Sequence, residues 1–150
     1  MKKINFLLIA ISLSAGLQAQ QLFTARQQEV QQTISHLFDA LSDVKNFEKL
    51  MPEDIAKFEV LGNDIFNFGL KGMPEIKLKM KDKTQYSKVV LAAASDKLPF
   101  TLTANIDTVS DSSCAVQLHF EGDFNPMMAM MIKGPISKFI KTLAENMHKL

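Results

Sequence analysis

The 150-residue chain has one cysteine, no tryptophan, one tyrosine and three histidines, and its seventeen basic residues face sixteen acidic ones. Each shortage removes a class of function. Cys114 alone forms no internal disulfide and lacks the companions of a zinc or redox motif, so it is expected to pack as a small apolar group. His36, His119 and His148 are scattered, without the i, i+4 or alternating spacing of a metal site, and neither metal nor cofactor is expected. A formal net charge of +1 gives no global field toward nucleic acid or an anionic membrane, so any charged partner must be recognised locally. G-x-S-x-G, H-E-x-x-H, a phosphate-cradling glycine loop and a cysteine beside a base are all missing, and no reaction is expected from motifs.

What is present begins with a leader. Met1-Lys2-Lys3 is basic, Ile4 to Leu17 is almost wholly apolar or small, and Gln18-Ala19 precedes a glutamine pair. This is the plan of a secretory signal peptide over residues 1–19, cut after Ala19, and it implies a periplasmic or secreted location, or a cytoplasmic one if the signal is unused. The apolar run falls short of the roughly 20 residues that span a bilayer, so stable membrane insertion is not expected once the leader is gone.

The remaining residues, 20–150, read as one domain. Gln21 to Val30 is compatible with an opening strand. Thr33 caps a helix whose apolar face is Ile34, Leu37, Phe38 and Leu41, and a second short helix runs from Val44 to Leu50, stopped by Pro52. The period then becomes two. Phe58 and Val60, then Phe66, Phe68 and Leu70, mark strands either side of Gly62-Asn63-Asp64. Ile76, Leu78 and Met80 alternate strictly with Lys77, Lys79 and Lys81. Tyr86 to Ala94 is a strand apolar on both faces, so its inward side is unassigned. Phe100 to Asp107 and Cys114 to Glu121 pair as a hairpin across Ser110–Ser113. Asn125-Pro126 then opens a long helix carrying Ile132, Ile136, Phe139, Ile140, Leu143 and Met147 on one face, kinked at Gly134-Pro135. One helix covering one sheet obliges the sheet to curl, leaving a cavity between them.

Leu41-Ser42-Asp43, Asn46, Leu50 and Pro52, together with Asp123-Phe124-Asn125-Pro126 and Gly134-Pro135, resemble the START-like (SRPBCC) superfamily, and most closely its small stand-alone bacterial members. The resemblance implies an α+β helix-grip fold, a curved antiparallel sheet around a long C-terminal helix with two short helices after the first strand. It also implies a small hydrophobic, lipid-like ligand bound without chemistry. A cyclase- or dehydratase-type enzyme and a protein-interaction module with a filled core are the alternatives.

The inward parity assigns ligand contact to Phe66, Phe68, Leu78, Met80, Leu102, Val116, Leu118, Phe120, Met131 and Phe139. Met127-Met128-Ala129-Met130-Met131 reads as adaptable cavity filling in preference to a copper site, since no histidine or cysteine lies nearby. The basic strip of Lys71, Lys77, Lys79, Lys81 and Lys83 reads as a solvated strand face, not as a nucleic-acid surface. Asp43, Glu53 and Asp54 stand at what would be the cavity mouth, and no protein partner is legible.

Overall fold

The computed structural model describes residues 20–94 and 99–150, so the expected leader at 1–19 lies outside the described residues. The strands are β1 (Gln20–Thr24), β2 (Gln28–Val30), β3 (Lys57–Val60), β4 (Ile65–Gly69), β5 (Ile76–Thr84), β6 (Lys88–Ala93), β7 (Phe100–Ser110) and β8 (Ser113–Asp123). They form one antiparallel sheet in the order β1-β8-β7-β6-β5-β4-β3, and β2 pairs with β8 beside β1. Helix α1 (Ile34–Leu41) and a 3-10 helix (Val44–Leu50) follow β2; helix α2 (Pro126–Glu145) and a short 3-10 turn (Asn146–Lys149) close the chain. This is the α+β helix-grip architecture.

Local chemistry explains most boundaries. Thr33 accepts a hydrogen bond from the His36 N–H, and Asn125 accepts one from the Met128 N–H, so each helix starts on a capped turn. Asp43 accepts from the Lys45 N–H, while the Asn46 amide donates to the Ala40 carbonyl at 3.0 Å, locking the 3-10 helix against α1. At the far end the Asn146 amide donates to the Leu50 carbonyl at 2.9 Å and ties the chain terminus to the same 3-10 helix. Helix α2 continues through Pro135 and buries Ala129, Ile132, Ile136, Phe139, Ile140 and Leu143 against the sheet. Register shifts between Met80 and Asp82 and between Thr108 and Ser110 bend the long strands that curl around it.

Several expectations change. The opening strand is two strands: the chain leaves the ladder at Ala25–Gln27, although the Ala25 N–H still donates to the Leu118 carbonyl at 3.0 Å. Leu70 falls outside β4, and Tyr86 lies in the turn before β6, its ring edge-on to Phe38 at 5.5 Å. On β6, Val89 and Leu91 are the buried pair. Met131, expected inward, points out of the fold and is 67% exposed, because the buried stripe of α2 runs through Ala129 and Ile132 instead.

The outer face of the β3–β5 corner carries one polar cluster. Asn67 points away from Phe66 and Phe68, as strand alternation requires, and its amide donates to Glu75 at 2.8 Å; the Lys57 ammonium stands 3.5 Å from the same carboxylate. That hydrogen bond first, and the lysine charge second, hold the Glu75 carboxyl below its ordinary value. A carboxyl lowered in the folded state adds stability at higher pH and loses it as pH falls below about 4.5 toward the lowered value. The wild type should therefore lose thermal midpoint faster than Glu75→Gln across that acid range, and parallel pH curves would refute the coupling.

Candidate functional site

The layer between sheet and helix is mostly filled by rings. Phe139 of α2 stacks on Phe68 at 5.0 Å between centroids; Phe68 adjoins Phe66, which stacks in turn on Phe47 at 5.3 Å and Phe58 at 5.2 Å. Offset stacking lets these side chains close the interior under β3 to β5 without polar atoms. Farther along the sheet, Leu41, Phe47, Leu91, Leu102, Leu118 and Leu143 surround a cavity of only about 10 Å³, room for roughly one water-sized sphere.

Space opens at the rim. A cleft of about 390 Å³ lies between the β4–β5 turn, the segment after the 3-10 helix and the middle of α2. Gly72, at φ +82°, allows the chain to reverse there and sets Leu70 and Lys71 on one wall. Pro52 and Asp54 form a second wall, and Gly134, Pro135, Lys138 and Phe139 form the third. Phe139 is thus the floor of the cleft and the first ring of the interior column. The lining pairs an apolar base with two ammonium groups and one carboxylate at the edge, and among its described residues it offers no hydroxyl, thiol or imidazole. A second, more polar groove of about 470 Å³ runs between Thr24–Gln28 and the outer flank of α2 near Ser137, Lys141 and Glu145.

The ten residues assigned from sequence to ligand contact divide accordingly. Phe139 lines the cleft, and Leu102 and Leu118 line the small cavity. Phe66, Phe68, Leu78, Val116 and Phe120 are buried core, Met80 packs partly buried against it, and Met131 is outside. Of the three acidic residues placed at the mouth, Asp54 is there, Asp43 caps the 3-10 helix and Glu53 is exposed. Lys71 and Lys138 carry the cleft's positive charge and were not singled out for it from sequence. A glycine reversal next to Lys71 and the spacing of Lys138 four residues beyond Gly134 are the local hints, but only the fold brings the two walls together.

The three histidines have structural partners. His119 bonds Thr24 at 3.0 Å, His36 lies 3.3 Å from the Leu150 carbonyl oxygen, and His148 lies 2.8 Å from the Glu145 carbonyl oxygen. Burial pushes the Cys114 thiol up, keeping it a packing group. Among the described residues, no three His, Cys, Asp or Glu side chains gather as a metal site.

The fold recurs in solved structures. Norcoclaurine synthase from Thalictrum flavum, solved with dopamine and hydroxybenzaldehyde, superposes with a TM-score of 0.68 at 15% identity, covering 99% of this chain and 95% of its own. A START superfamily protein from Mycobacterium smegmatis superposes at 0.66 with 13% identity, covering 85% and 94%. A protein from Thermobifida fusca superposes at 0.62 with 14% identity, covering 86% and 94%. No protein-family model and no curated protein matches the chain. The chain therefore has the START-like fold, an architecture that in one neighbour holds small molecules and in that same neighbour is catalytic.

Proposed function

We propose that this protein binds, without transforming, a small and mainly apolar molecule bearing one anionic group, seated in the rim cleft between the sheet and α2. The observation that carries the proposal is a cleft of about 390 Å³ with an apolar base, where the interior holds only about 10 Å³ and the larger groove of about 470 Å³ is lined by more polar groups. A volume of that size suits a small ligand, and Leu70, Pro135 and Phe139 give it an apolar base. Lys71 and Lys138 select the negative end of the ligand, since together they outweigh Asp54. The lining offers Lys71, Lys138 and Asp54 as its reactive groups, and the proposal stops at binding because no hydroxyl, thiol or imidazole joins them. Export through residues 1–19 belongs to the same proposal, a carrier or scavenger outside the cytoplasm.

The test begins with native mass spectrometry of gently purified protein and extraction of whatever it holds, followed by titration with dodecanoate and dodecanol. Dodecanoate should bind, and the double variant Lys71→Ala, Lys138→Ala should weaken it about three- to thirtyfold, the range for losing two exposed ion pairs of roughly 0.3–1 kcal/mol each. Dodecanol should be almost unaffected. Absence of any uptake, or equal loss for both probes, removes the proposal.

A further inference from the structure

Four methionines open helix α2, and interior packing accounts for one of them. Met128 packs against the core, whereas Met127, Met130 and Met131 are 75%, 81% and 67% exposed. Their i, i+3, i+4 spacing sets all three on one face of the first two turns. An exposed apolar cluster of this kind marks a docking surface, and flexible thioether side chains adapt to an irregular partner.

Two features point to the partner. The first is the axial gradient of the outer face. Met127, Met131, Gly134 and Lys138 follow one another along it, so apolar groups give way to a cation over the seven residues from Met131 to Lys138, about 10 Å at 1.5 Å per residue. That distance is comparable to the roughly 5–10 Å depth to which an interfacial helix buries its apolar face. Lys71 adds a second cation across the cleft from Lys138.

The second is the state of the helix end. A helix entering a low-dielectric layer must have its first N–H groups satisfied. Pro126 has none, the Met128 N–H donates to the Asn125 side chain at 2.8 Å, and the Ala129 N–H donates to the Asn125 carbonyl at 2.9 Å, so of these first positions the Met127 N–H alone has no partner among the described residues.

We propose that the Met127–Met131 turn docks reversibly on an anionic lipid bilayer, its thioethers at the acyl boundary and Lys138 and Lys71 at the headgroup phosphates. This is peripheral docking, compatible with the absence, among the described residues, of any helix long and apolar enough to cross a membrane. It shares Lys71 and Lys138 with the ligand reading but does not depend on it, since a bilayer-docked protein need carry nothing in its cleft.

The experiment is flotation with vesicles of phosphatidylcholine and phosphatidylglycerol at about 7:3, and of phosphatidylcholine alone, using the full chain and the chain beginning at Gln20, which retains every described core residue. The shorter chain should float with the anionic vesicles and be released by about 0.5 M salt, where screening shortens the reach of charge. The triple variant Met127→Ser, Met130→Ser, Met131→Ser should partition about tenfold or more weakly, while keeping its thermal midpoint and its dodecanoate affinity. The corresponding triple leucine variant should float like the wild type. Hydrogen peroxide footprinting of the full chain provides a readout independent of substitution: anionic vesicles should slow sulfoxide formation at these three methionines and leave the remaining ones unchanged. The inference is overturned if the wild type stays soluble, if the serine variant floats equally, or if vesicles leave the oxidation rates unaltered. Loss of binding in the leucine variant would also overturn it, because leucine keeps the apolar surface on which docking rests.

Discussion

Phe66→Ala should lower the stability of this domain by about 3–5 kcal/mol, the cost of removing a large ring from a close-packed core. Phe66 is fully buried and touches three rings, with Phe47 and Phe58 stacked either side and Phe68 adjoining along the strand. Those neighbours come from the 3-10 helix, β3 and β4 itself, so the void left behind cannot be closed by moving one element. The loss should appear as a fall of about 10–20 °C in thermal midpoint and as a matching shift of the urea midpoint. A fall of only a few degrees would mean that the column collapses around the missing ring, and that the interior is more yielding than its 10 Å³ cavity implies.

Gly122→Ala should be nearly as damaging, although it adds a single methyl group. Gly122 sits on β8 opposite Phe100 of β7 and Gln21 of β1. A Cβ at this position would lie 2.6 Å from the Pro99 carbonyl oxygen, 2.7 Å from the Phe124 ring and 2.8 Å from the Phe100 Cβ. Two of the three obstacles are backbone or the root of a side chain, so rotation of a flexible tip does not relieve them. Overpacking of this sort costs about 1–3 kcal/mol, and the upper part of that range is expected here. Gly62→Ala is the control: its Cβ meets nothing within 4 Å, so the same chemical change should leave stability within about 0.5 kcal/mol. Equal effects at the two positions would show that the close approach does not set the cost, since the backbone-entropy effect of Gly→Ala is stabilising.

The parts of the fold that were legible in the sequence are those decided by neighbours along the chain. Thr33 and Asn125 cap because their side chains reach an N–H three residues away, and the Ile76-to-Lys81 alternation reports a strand because successive side chains face opposite ways. The residues that carried the family resemblance prove to be local fasteners: Asp43 and Asn46 bond backbone groups within six residues, and Leu50 is fully buried beneath them. What escaped the sequence depends on distant partners. The break at Ala25–Gln27 is set by β8, and nothing near Ala25 announces it. The parity of β6 was undecidable because Val90 and Ala92 on its outer face are also apolar and half-buried. Met131 was assigned inward against the stripe that Ile132, Ile136, Phe139, Ile140 and Leu143 already marked, and it is that stripe, extended by Ala129, that α2 buries against the sheet. The cleft was illegible because Lys71 and Lys138 become neighbours only when a turn and a helix close on one another.

The sheet also dictates an order of events during synthesis. β1 and β2, the first described strands to leave the ribosome, hydrogen-bond to β8, among the last to leave it. The β7–β8 hairpin closes over a short turn and forms quickly, whereas recruiting the opening strands requires closing most of the chain into a loop, a slow and non-local step. Until Ser113–Asp123 has emerged, the opening segment has no ladder to join, and its unpaired edges are open to other chains. A nascent chain of this protein therefore stays unfinished, and exposed to chaperones and proteases, until Ser113–Asp123 has been made and released.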